Sequence, residues 1–321
     1  MTIQSDSPDN GSGRPGFTAF GLRAEAQPLP RGLHVVATPI GNLGDITFRA
    51  LATLAAADAV IAEDTRVSKT LLAHYGISTP LVAYHEHNAA VIRPHLLARL
   101  ENGAALALIS DAGTPLVSDP GFKLVAEAVE RGIEVSSAPG PSAVLMALVV
   151  AGLPTDRFFF EGFLPHKSGA RRQRAAVLKA VPGTLVVFES ARRLAESLAD
   201  LAAVLGERPA AVCRELTKRF ETVRRGSLSE LAGQFAAEGP PKGEIVIVIG
   251  PPDEAAGSDG HEDLDKKIEA ALEKHSAKDA AAIVAGDTGL PRRKVYARVL
   301  ELSGARAAEP DKTRAAEPDK T

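Results

Sequence analysis

Three loops rich in glycine and proline are the segments of this sequence best suited to hold a small ligand. They read TPIGN at 38–42, SDAGTPLVSDPG at 110–121 and APGPSA at 138–143, and each follows a predicted β-strand. In open parallel α/β sheets, ligands lie outside the carboxyl ends of the strands. Proline stiffens such a loop, and glycine lets backbone amides approach a ligand closely. Together the loops predict a ligand site at one sheet edge, although each alone could be an ordinary tight connection.

The lack of phosphate-binding motifs in the sequence narrows the class of ligand. TPIGNLGD does not supply the G-x-G-x-x-G turn of dinucleotide-binding proteins, and the chain has no G-x-x-x-x-G-K-[ST] loop for a triphosphate. A site built from carbonyls, amides and an acidic loop suits a positively charged ligand. A sulfonium cofactor fits that description.

The elements that must position these loops alternate between strand-like and helix-like patterns from Leu33 onward. The strand candidates are LHVVAT, AVIAE, PLVAY, AALALIS and IEVSSA, and amphipathic segments separate them. This βαβ wiring predicts a mostly parallel sheet covered by helices. The helix SAVLMALVVAG, stopped by Gly152 and Pro154, ends the unit. A second α/β unit follows, with strands at RFFFEGFL, TLVVFES, AAVCREL and EIVIVIG.

The pattern predicts six regions along the chain. They are a disordered leader over 1–31, an N-terminal α/β domain over 32–152, a second α/β domain over 153–250, a linker over 251–262, a helical module over 263–303 and a disordered tail over 304–321. The leader lacks the pattern of a secretory signal. In the module, the segment 288–291 separates two helices in a helix-turn-helix outline. The tail repeats the octapeptide RAAEPDKT and carries no inferable chemistry.

Composition restricts the class of protein. With 37 basic and 40 acidic side chains the net charge is −3, so only a local patch could attract nucleic acid. The 45% apolar content can fill the cores of a globular protein. A single cysteine cannot form an internal disulfide, and no apolar run reaches the roughly 18 residues of a membrane span. We therefore expect a soluble, cytoplasmic protein.

Eight motifs, in this order along the chain, carry a resemblance to a known family. They are VVATPIGNLGDIT, AEDTR, YHEHN, LISDAGTPLVSDPG, APGPSA, FFFEGFLP, FES and CRELTKRFE. From about Leu33 to Gly250 the sequence closely resembles the ribosomal RNA small subunit methyltransferase I family of the tetrapyrrole methylase superfamily, and its helical end resembles that family's C-terminal module. The resemblance implies an α/β, two-domain tetrapyrrole-methylase-like (class III methyltransferase) fold with a small C-terminal helical module.

The resemblance also implies a cofactor, a reaction and a site. S-adenosylmethionine would lie in the cleft between the two α/β domains, and the ribose 2′-hydroxyl of a cytidine in the decoding region of 16S rRNA would be methylated within the small ribosomal subunit. Carried over residue by residue, the cofactor contacts would be Pro39, Asp111, Ala112, Gly113, Thr114, Pro115, Pro139, Gly140, Pro141, Ser142 and Ala143 in the first domain, and Ser190, Gly243 and Glu244 in the second.

Activation of a ribose hydroxyl calls for a nearby base or cation, because a protonated hydroxyl is a poor nucleophile. The candidates are Glu63, Arg66, His85, His87, Arg214, Glu215 and Lys218, and we expect Glu63, Arg66 and Lys218 to carry catalysis. The charges of AEDTR could instead form a helix-start cluster. His85 and His87 have no third ligand at suitable spacing, so we expect no metal. Cys213 is interpreted as a buried strand residue, since nothing adjacent resembles the base partner of a nucleophile.

Two basic segments are candidates for contact with RNA phosphates, although each could be only a solvated face. They contribute Lys167, Arg171, Arg172 and Arg174 in HKSGARRQR, and Arg292, Arg293 and Lys294 at the start of the last helix. Few aromatic residues are available for base stacking, which favours recognition of phosphate and shape.

Two other functions remain open at this point. A tetrapyrrole C-methyltransferase would need neither the basic segment nor the helical end, and a DNA-binding regulator that senses a ligand would bind duplex DNA without turnover. Association into a homodimer is also left open by the sequence.

Overall fold

The computed structural model describes residues 15–117, 121–252, 258–288 and 291–307. The chain divides into two compact units at Pro251–Pro252. Among the described residues, no helix combines the length and apolar character needed to cross a membrane.

A β-hairpin precedes the first sheet and corrects the predicted leader. Its strands β1 (Gly16–Ala19) and β2 (Leu22–Glu25) pair antiparallel. Phe17 is 5% exposed and packs in the same core as Leu51 and Leu54. The prediction of disorder over 1–31 is therefore wrong from residue 15 onward, because this apolar anchor is too short to show in the composition of the segment. Residues 1–14 lie outside the described part.

The first sheet is parallel throughout, as the βαβ pattern predicts. Its strands are β3 (Gly32–Val36), β4 (Ala59–Ala62), β5 (Leu81–Ala83), β6 (Ala105–Leu108) and β7 (Val135–Ala138), in the spatial order β5-β4-β6-β3-β7. The helices are α1 (Phe48–Ala56), α2 (Thr65–His74), α3 (Ala89–Glu101), α4 (Phe122–Glu130) and α5 (Ala143–Ala151). Every residue of β4 and β6 is buried, as expected for central strands that are covered on both faces.

The second sheet is mixed. Its strands are β8 (Phe158–Phe163), β9 (Thr184–Ser190), β10 (Pro209–Arg214), β11 (Thr222–Ser227) and β12 (Glu244–Ile249), in the order β11-β10-β12-β9-β8. Only the β8–β9 pair is parallel within this sheet. Helices α6 (Ser168–Leu178), α7 (Leu194–Leu205) and α8 (Leu228–Glu238) cover one face.

Helix α5 joins the two sheets through a shared core. Ser142 caps its N-terminus, and Gly152 ends it in the left-handed conformation with φ of 74°. Ala147 and Leu148 of α5 pack with Cys213 and Val246 of the second sheet. The helix is apolar on every side, as the sequence AVLMALVVA requires for an element between two cores. The two sheets thus form one compact unit with a cleft between them.

The second unit is helical. It comprises α9 (Ser258–Leu272), α10 (Ala277–Thr288) and α11 (Arg292–Ala307) around a core of Ile268, Val284, Val295 and Val299. Helix α10 ends and α11 begins where the sequence places the helix-turn-helix break.

Candidate active site

The three loops rich in glycine and proline meet because their strands are neighbours. β3 lies between β6 and β7, so the segments 38–42, 110–117 and 138–143 leave the same edge of the sheet side by side. Thr38 and Gly113 exchange two backbone hydrogen bonds of 2.9 and 3.0 Å. The Thr114 hydroxyl donates to the Pro141 carbonyl at 3.2 Å. These bonds hold the three loops as one surface.

A cavity of about 450 Å³ lies between the first and second sheets, and we call it the cofactor cavity. Both halves of the unit contribute its walls, which are formed by Ile40, Ala112, Gly113, Thr114, Val117, Ser142, Ala143 and Val144 from the first half and by Phe163, Phe188, Glu189, Ser190, Ala191, Cys213, Leu216, Gly243, Glu244, Ile245 and Val246 from the second. Its size is within the range of pockets that enclose small organic cofactors.

The sequence-predicted cofactor residues fall into two groups. Those that line the cofactor cavity are Ala112, Gly113, Thr114, Ser142, Ala143, Ser190, Gly243 and Glu244. Those that do not are Pro39 and Asp111, which line a different cavity, and Pro115, Pro139, Gly140 and Pro141, which belong to the supporting loops. Pro141 acts through its carbonyl, which accepts the Thr114 hydrogen bond. The cofactor role of each residue stays a prediction.

The lining chemistry suits an organic cation better than a phosphate. Phe163, Phe188, Leu216 and Val246 supply apolar surface, and the few polar groups include the Glu244 carboxylate. None of the described lining residues is a lysine or an arginine. The cations that contact these lining residues, Lys218 at Glu244 and Arg193 at Glu189, are already paired with carboxylates. Among the described residues, a di- or triphosphate would therefore compete for its positive partners, whereas a sulfonium with hydroxyl, amino and purine groups would meet apolar walls and a few polar atoms.

Two glycines let the backbone pass close to the cavity. Gly113 has φ of 84°, and a Cβ there would lie 3.3 Å from Ile40. Gly243 has φ of 102°, and a Cβ there would lie 2.4 Å from the carboxyl group of Glu215. Both conformations are strained for residues with a Cβ, so glycine is strongly favoured at each position.

Glu63 lies among charged groups at the carboxyl ends of β4, β5 and β6. Burial raises the pKa of Glu63 above its ordinary value, and the nearby Asp111 carboxylate raises it further, while His85 opposes the shift. Asp111 accepts a 3.1 Å hydrogen bond from the backbone N–H of Asp64. A carboxylate with a raised pKa is better matched to accepting a hydroxyl proton than an ordinary one.

Arg66 forms an ion pair with a carboxylate two residues before it in the sequence. Its guanidinium pairs with Asp64 at 2.6 Å, and its side chain is 90% exposed. Hydrogen bonds from Arg66 lower the pKa of Asp64 to about 2. Asp64 also caps α2 by accepting from the backbone of Arg66. The helix-start cluster that the sequence allows is therefore present, and it leaves Arg66 in reach of solvent.

Lys218 lies between the two halves of the unit. Its ammonium group contacts Glu215 at 2.9 Å and Glu244 at 2.8 Å. Its stem passes over Gly41, where a Cβ would lie 2.4 Å from the lysine Cε. Burial alone would lower the pKa of Lys218, but the hydrogen bonds to Glu244 and Glu215 outweigh it and raise the pKa. Lys218 therefore remains a cation at neutral pH.

A second cavity of about 340 Å³ shares two loops with the cofactor cavity, and we call it the α2 cavity. Its walls come from the loops after β3 and β6 and from one face of α2, namely Thr38, Pro39, Gly41, Leu43, Val67, Ser68, Thr70, Leu71, Ser110 and Asp111. The α2 face could not be predicted as part of a site, because its spacing is that of any amphipathic helix.

The basic segment of α6 divides into buried and exposed residues. Arg171 is 1% exposed and pairs with the buried Asp200 at 2.6 Å, so the prediction that it contacts RNA is corrected: its guanidinium is enclosed in the core. Arg172 also pairs with Asp200 but is 55% exposed. Arg174 pairs with Glu161 at 2.5 Å. Lys167 is exposed.

In the helical unit, Arg292 and Arg293 are exposed at the start of α11, and the side chain of Lys294 lies outside the described residues. The contact of these residues with RNA stays a prediction.

Cys213, His85 and His87 were also considered as functional residues in the sequence. Cys213 is buried, and burial raises the pKa of its thiol to about 11. The rings of His85 and His87 lie 6.0 Å apart. In the described part of the chain, no group of three or more His, Cys, Asp or Glu residues is arranged to hold a metal ion.

Comparison with known proteins identifies the class of this fold and site. The sequence pattern of the family Tetrapyrrole (Corrin/Porphyrin) Methylases matches residues 32–232. Among solved structures, diphthine synthase superposes with a TM-score of 0.52 at 16% identity, over 68% of this chain and 89% of its own. A conserved hypothetical protein from Aeropyrum pernix gives a TM-score of 0.53 at 20% identity, over 88% of this chain and 100% of its own. The fold is that of a tetrapyrrole methylase.

Closer relatives define the family within that class. Ribosomal RNA small subunit methyltransferase I of Mesorhizobium japonicum is 55% identical, over 86% of this chain and 94% of the relative. The same-named protein of Pseudomonas aeruginosa is 46% identical, over 85% and 98%. The pattern of the RsmI C-terminal HTH domain matches residues 258–303. The chain belongs to the ribosomal RNA small subunit methyltransferase I family. It is a methyltransferase with S-adenosylmethionine as its cofactor, which confirms the predictions of fold, family and cofactor.

Proposed function

We propose that this protein methylates the ribose 2′-hydroxyl of a cytidine in the decoding region of 16S rRNA, within the small ribosomal subunit. The names of relatives that match nearly their whole length support ribosomal RNA of the small subunit as the substrate. The cytidine and the ribose oxygen come from the motif resemblance. The structural observation that argues against methylation at carbon 5 of the cytosine ring is the state of Cys213.

Transfer of a methyl group to carbon 5 of a pyrimidine ring usually begins with a cysteine thiolate that adds to the ring. Cys213 is the only cysteine of the chain, it is buried, and burial raises the pKa of its thiol to about 11. That thiol remains protonated at neutral pH, and among the described residues its hydrogen-bond partner is the Ala147 carbonyl and not a base. A hydroxyl acceptor needs no such nucleophile, because the acceptor itself attacks the methyl group.

Different residues of this chain have different roles in the proposed reaction. When bound, S-adenosylmethionine supplies an activated methyl group and its own leaving group. The lining residues Gly113, Ser142, Ser190 and Glu244 would hold the cofactor and exclude water from it. Glu63 accepts the hydroxyl proton, since its raised pKa improves it as a base. Arg66 and Lys218 orient the acceptor strand and the loops around it.

Exposed cations hold the RNA backbone in this proposal. They are Lys167, Arg172, Arg292 and Arg293, and Lys294 of the same basic segment is included from its sequence alone. With 4% aromatic residues in the chain, recognition depends on phosphates and on the shape of the folded subunit. An assembled or partly assembled subunit is therefore expected to be a better substrate than naked RNA.

Mass spectrometry of nucleosides tests the proposal. Small subunits that lack the modification are incubated with the protein and labelled S-adenosylmethionine, digested and analysed. The expected product is 2′-O-methylcytidine from a decoding-region fragment. Label on the cytosine ring, or label in a tetrapyrrole and in no RNA, would contradict the proposal. Tight binding to duplex DNA without turnover would favour the regulatory alternative.

A further inference from the structure

The α2 cavity and the cofactor cavity are neighbours because residues of the same two loops line both. In the loop after β3, Pro39 and Gly41 line the α2 cavity, whereas Ile40 lines the cofactor cavity. In the loop after β6, Asp111 lines the first and Ala112 lines the second. The two backbone hydrogen bonds between Thr38 and Gly113 tie these loops together. Methyl transfer requires such adjacent sites for donor and acceptor.

The polar groups of the α2 cavity are arranged for a ligand. Ser68 is 2% exposed, and its hydroxyl has no hydrogen-bond partner among the residues that the structure describes. Buried polar groups are normally paired, so the hydroxyl of Ser68, a residue that lines the cavity, is available to a ligand bound there. Asp111 accepts the Asp64 N–H through Oδ1, which leaves Oδ2 to accept another hydrogen bond.

The apolar part of the α2 cavity suits a flat ring. Pro39, Leu43, Val67 and Leu71 contribute apolar surface around it. A volume of about 340 Å³ holds one nucleoside and is too small for a stretch of helix. Enzymes that act on one nucleotide commonly place it in a pocket of this kind, with apolar contacts to the base and hydrogen bonds to its edge.

The groups predicted to act on the hydroxyl surround this cavity. Glu63 lies close enough to the Asp111 carboxylate for that charge to raise the pKa of Glu63. Arg66 precedes the lining residue Val67 on α2. Lys218 packs on Gly41, another wall residue. The predicted cofactor residues thus line the cofactor cavity, and the predicted catalytic residues surround the neighbouring α2 cavity.

We propose that the α2 cavity receives the acceptor nucleoside, extruded from the RNA, with its base between Leu43 and Val67 and its edge hydrogen-bonded to Ser68. Asp111 accepts from an exocyclic amino group, a contact that carboxylates make to cytosine N4. The inference rests on the proposed function for its choice of a cytidine, and on the geometry for the location. It makes Ser68 and Asp111 specificity residues for the base.

A variant that fills the α2 cavity with a large side chain tests the proposed location of the nucleoside. Val67 is 47% exposed, so Val67→Trp places its ring at the cavity without displacing core residues. Ala73→Trp is the matched control, since Ala73 is exposed on the same helix and does not line the cavity. Val67→Trp should lower kcat/KM for small subunits by about 100-fold, the loss that a misplacement of about 1 Å can cause. Calorimetry should show unchanged affinity for S-adenosylmethionine in both variants.

Removal of one oxygen tests the role of Ser68. Because its hydroxyl has no partner in the described part of the chain, Ser68→Ala should leave the unfolding midpoint in urea unchanged or raise it, while kcat/KM falls and KM for the subunit rises. A lower midpoint with wild-type kinetics would show that the hydroxyl serves the fold and would overturn the inference. Wild-type kinetics in Val67→Trp would overturn it as well.

A binding measurement separates this inference from the proposed reaction. Saturation-transfer NMR with cytidine 5′-monophosphate, in the presence of S-adenosylhomocysteine, should give signals for wild type and Ala73→Trp and none for Val67→Trp. Equal signals in all three proteins, or none in any, would refute the cavity as the nucleoside site. If the protein methylated no ribose but these signals followed the expected pattern, the proposed reaction would fail and the cavity assignment would stand.

Discussion

Asp200 holds the base of α6 in place through hydrogen bonds from three residues. Arg171 donates to its Oδ2 at 2.7 Å, while Arg172 at 2.6 Å and Ser168 at 3.0 Å donate to its Oδ1. Burial alone would raise the pKa of Asp200, but the hydrogen bonds from Arg172, Ser168 and Arg171 outweigh it and lower the pKa. We predict that Asp200→Leu strongly destabilises the α/β unit, because it leaves the buried Arg171 charge with only the exposed Glu196 carboxylate at 3.9 Å and the His166 carbonyl as partners.

The size of this effect follows from burial. Breaking a buried ion pair by removal of one partner costs about 3–5 kcal/mol. For domains of about 150–250 residues, each kcal/mol lowers Tm by roughly 2–4 °C, so a decrease of about 6–20 °C is expected. The double variant Arg171→Met/Asp200→Leu should recover part of this loss, because no charge is then buried alone. Urea unfolding of the wild type, both single variants and the double variant measures the coupling.

The pH dependence of the same experiment has a defined sign. A carboxyl group whose pKa is lowered in the folded state stabilises the protein above its ordinary pKa and loses that effect as the pH falls through the lowered value. The gap between wild type and Asp200→Leu should therefore be widest near neutral pH and narrow in acid. Additive single effects, or loss of RNA affinity in Arg171→Met without loss of stability, would refute the structural role of Arg171.

Three further predictions concern the cofactor, the base and the RNA. Gly113→Val should weaken S-adenosylmethionine binding by calorimetry, whereas Gly132→Val, with a similar positive φ but open space around it, should lose stability only; equal affinities would exclude the 113 loop from the site. Asp111→Asn removes a charge that raises the pKa of Glu63, so the acidic limb of the pH–kcat profile should shift to lower pH, and an unmoved limb would argue against Glu63 as base. Lys167→Gln should reduce the salt slope of RNA binding by about one unit if the exposed ammonium contacts a phosphate, and an unchanged slope would make it a solvated residue.

The parts of the fold that could be predicted from the sequence are those with a strong local pattern. The buried strands β4 and β6 are unbroken apolar runs. The loops after β3, β6 and β7 can be recognised in the sequence by their glycine and proline residues. Strand β11 was missed because TVRRGS lies at a sheet edge and alternates weakly. The hairpin β1–β2 was missed because a single buried side chain, Phe17, anchors it.

Charge patterns predicted the site less well, because a sequence does not show which charges face each other. Arg171 and Arg172 are adjacent in HKSGARRQR, yet one is enclosed and the other reaches solvent, since Asp200 on α7 lies beneath them. Ser68 carries no signal in the sequence either. The role we propose for it depends on the packing of α2 beside two loops that come from β3 and β6.

The contacts of Lys218 narrow the role that its residue type allows. From the sequence alone, a lysine at this position could either activate the hydroxyl or orient it. Its ammonium lies between Glu215 and Glu244, whose hydrogen bonds raise its pKa, so it cannot accept a proton at neutral pH. Its stem fills the space above Gly41, and Glu215 in turn fills the space above Gly243. The contacts therefore connect the loop after β3 with residues beside β10 and β12 of the second sheet. In the proposed reaction Lys218 is therefore a positioning residue, and Glu63 is the residue we propose as the base.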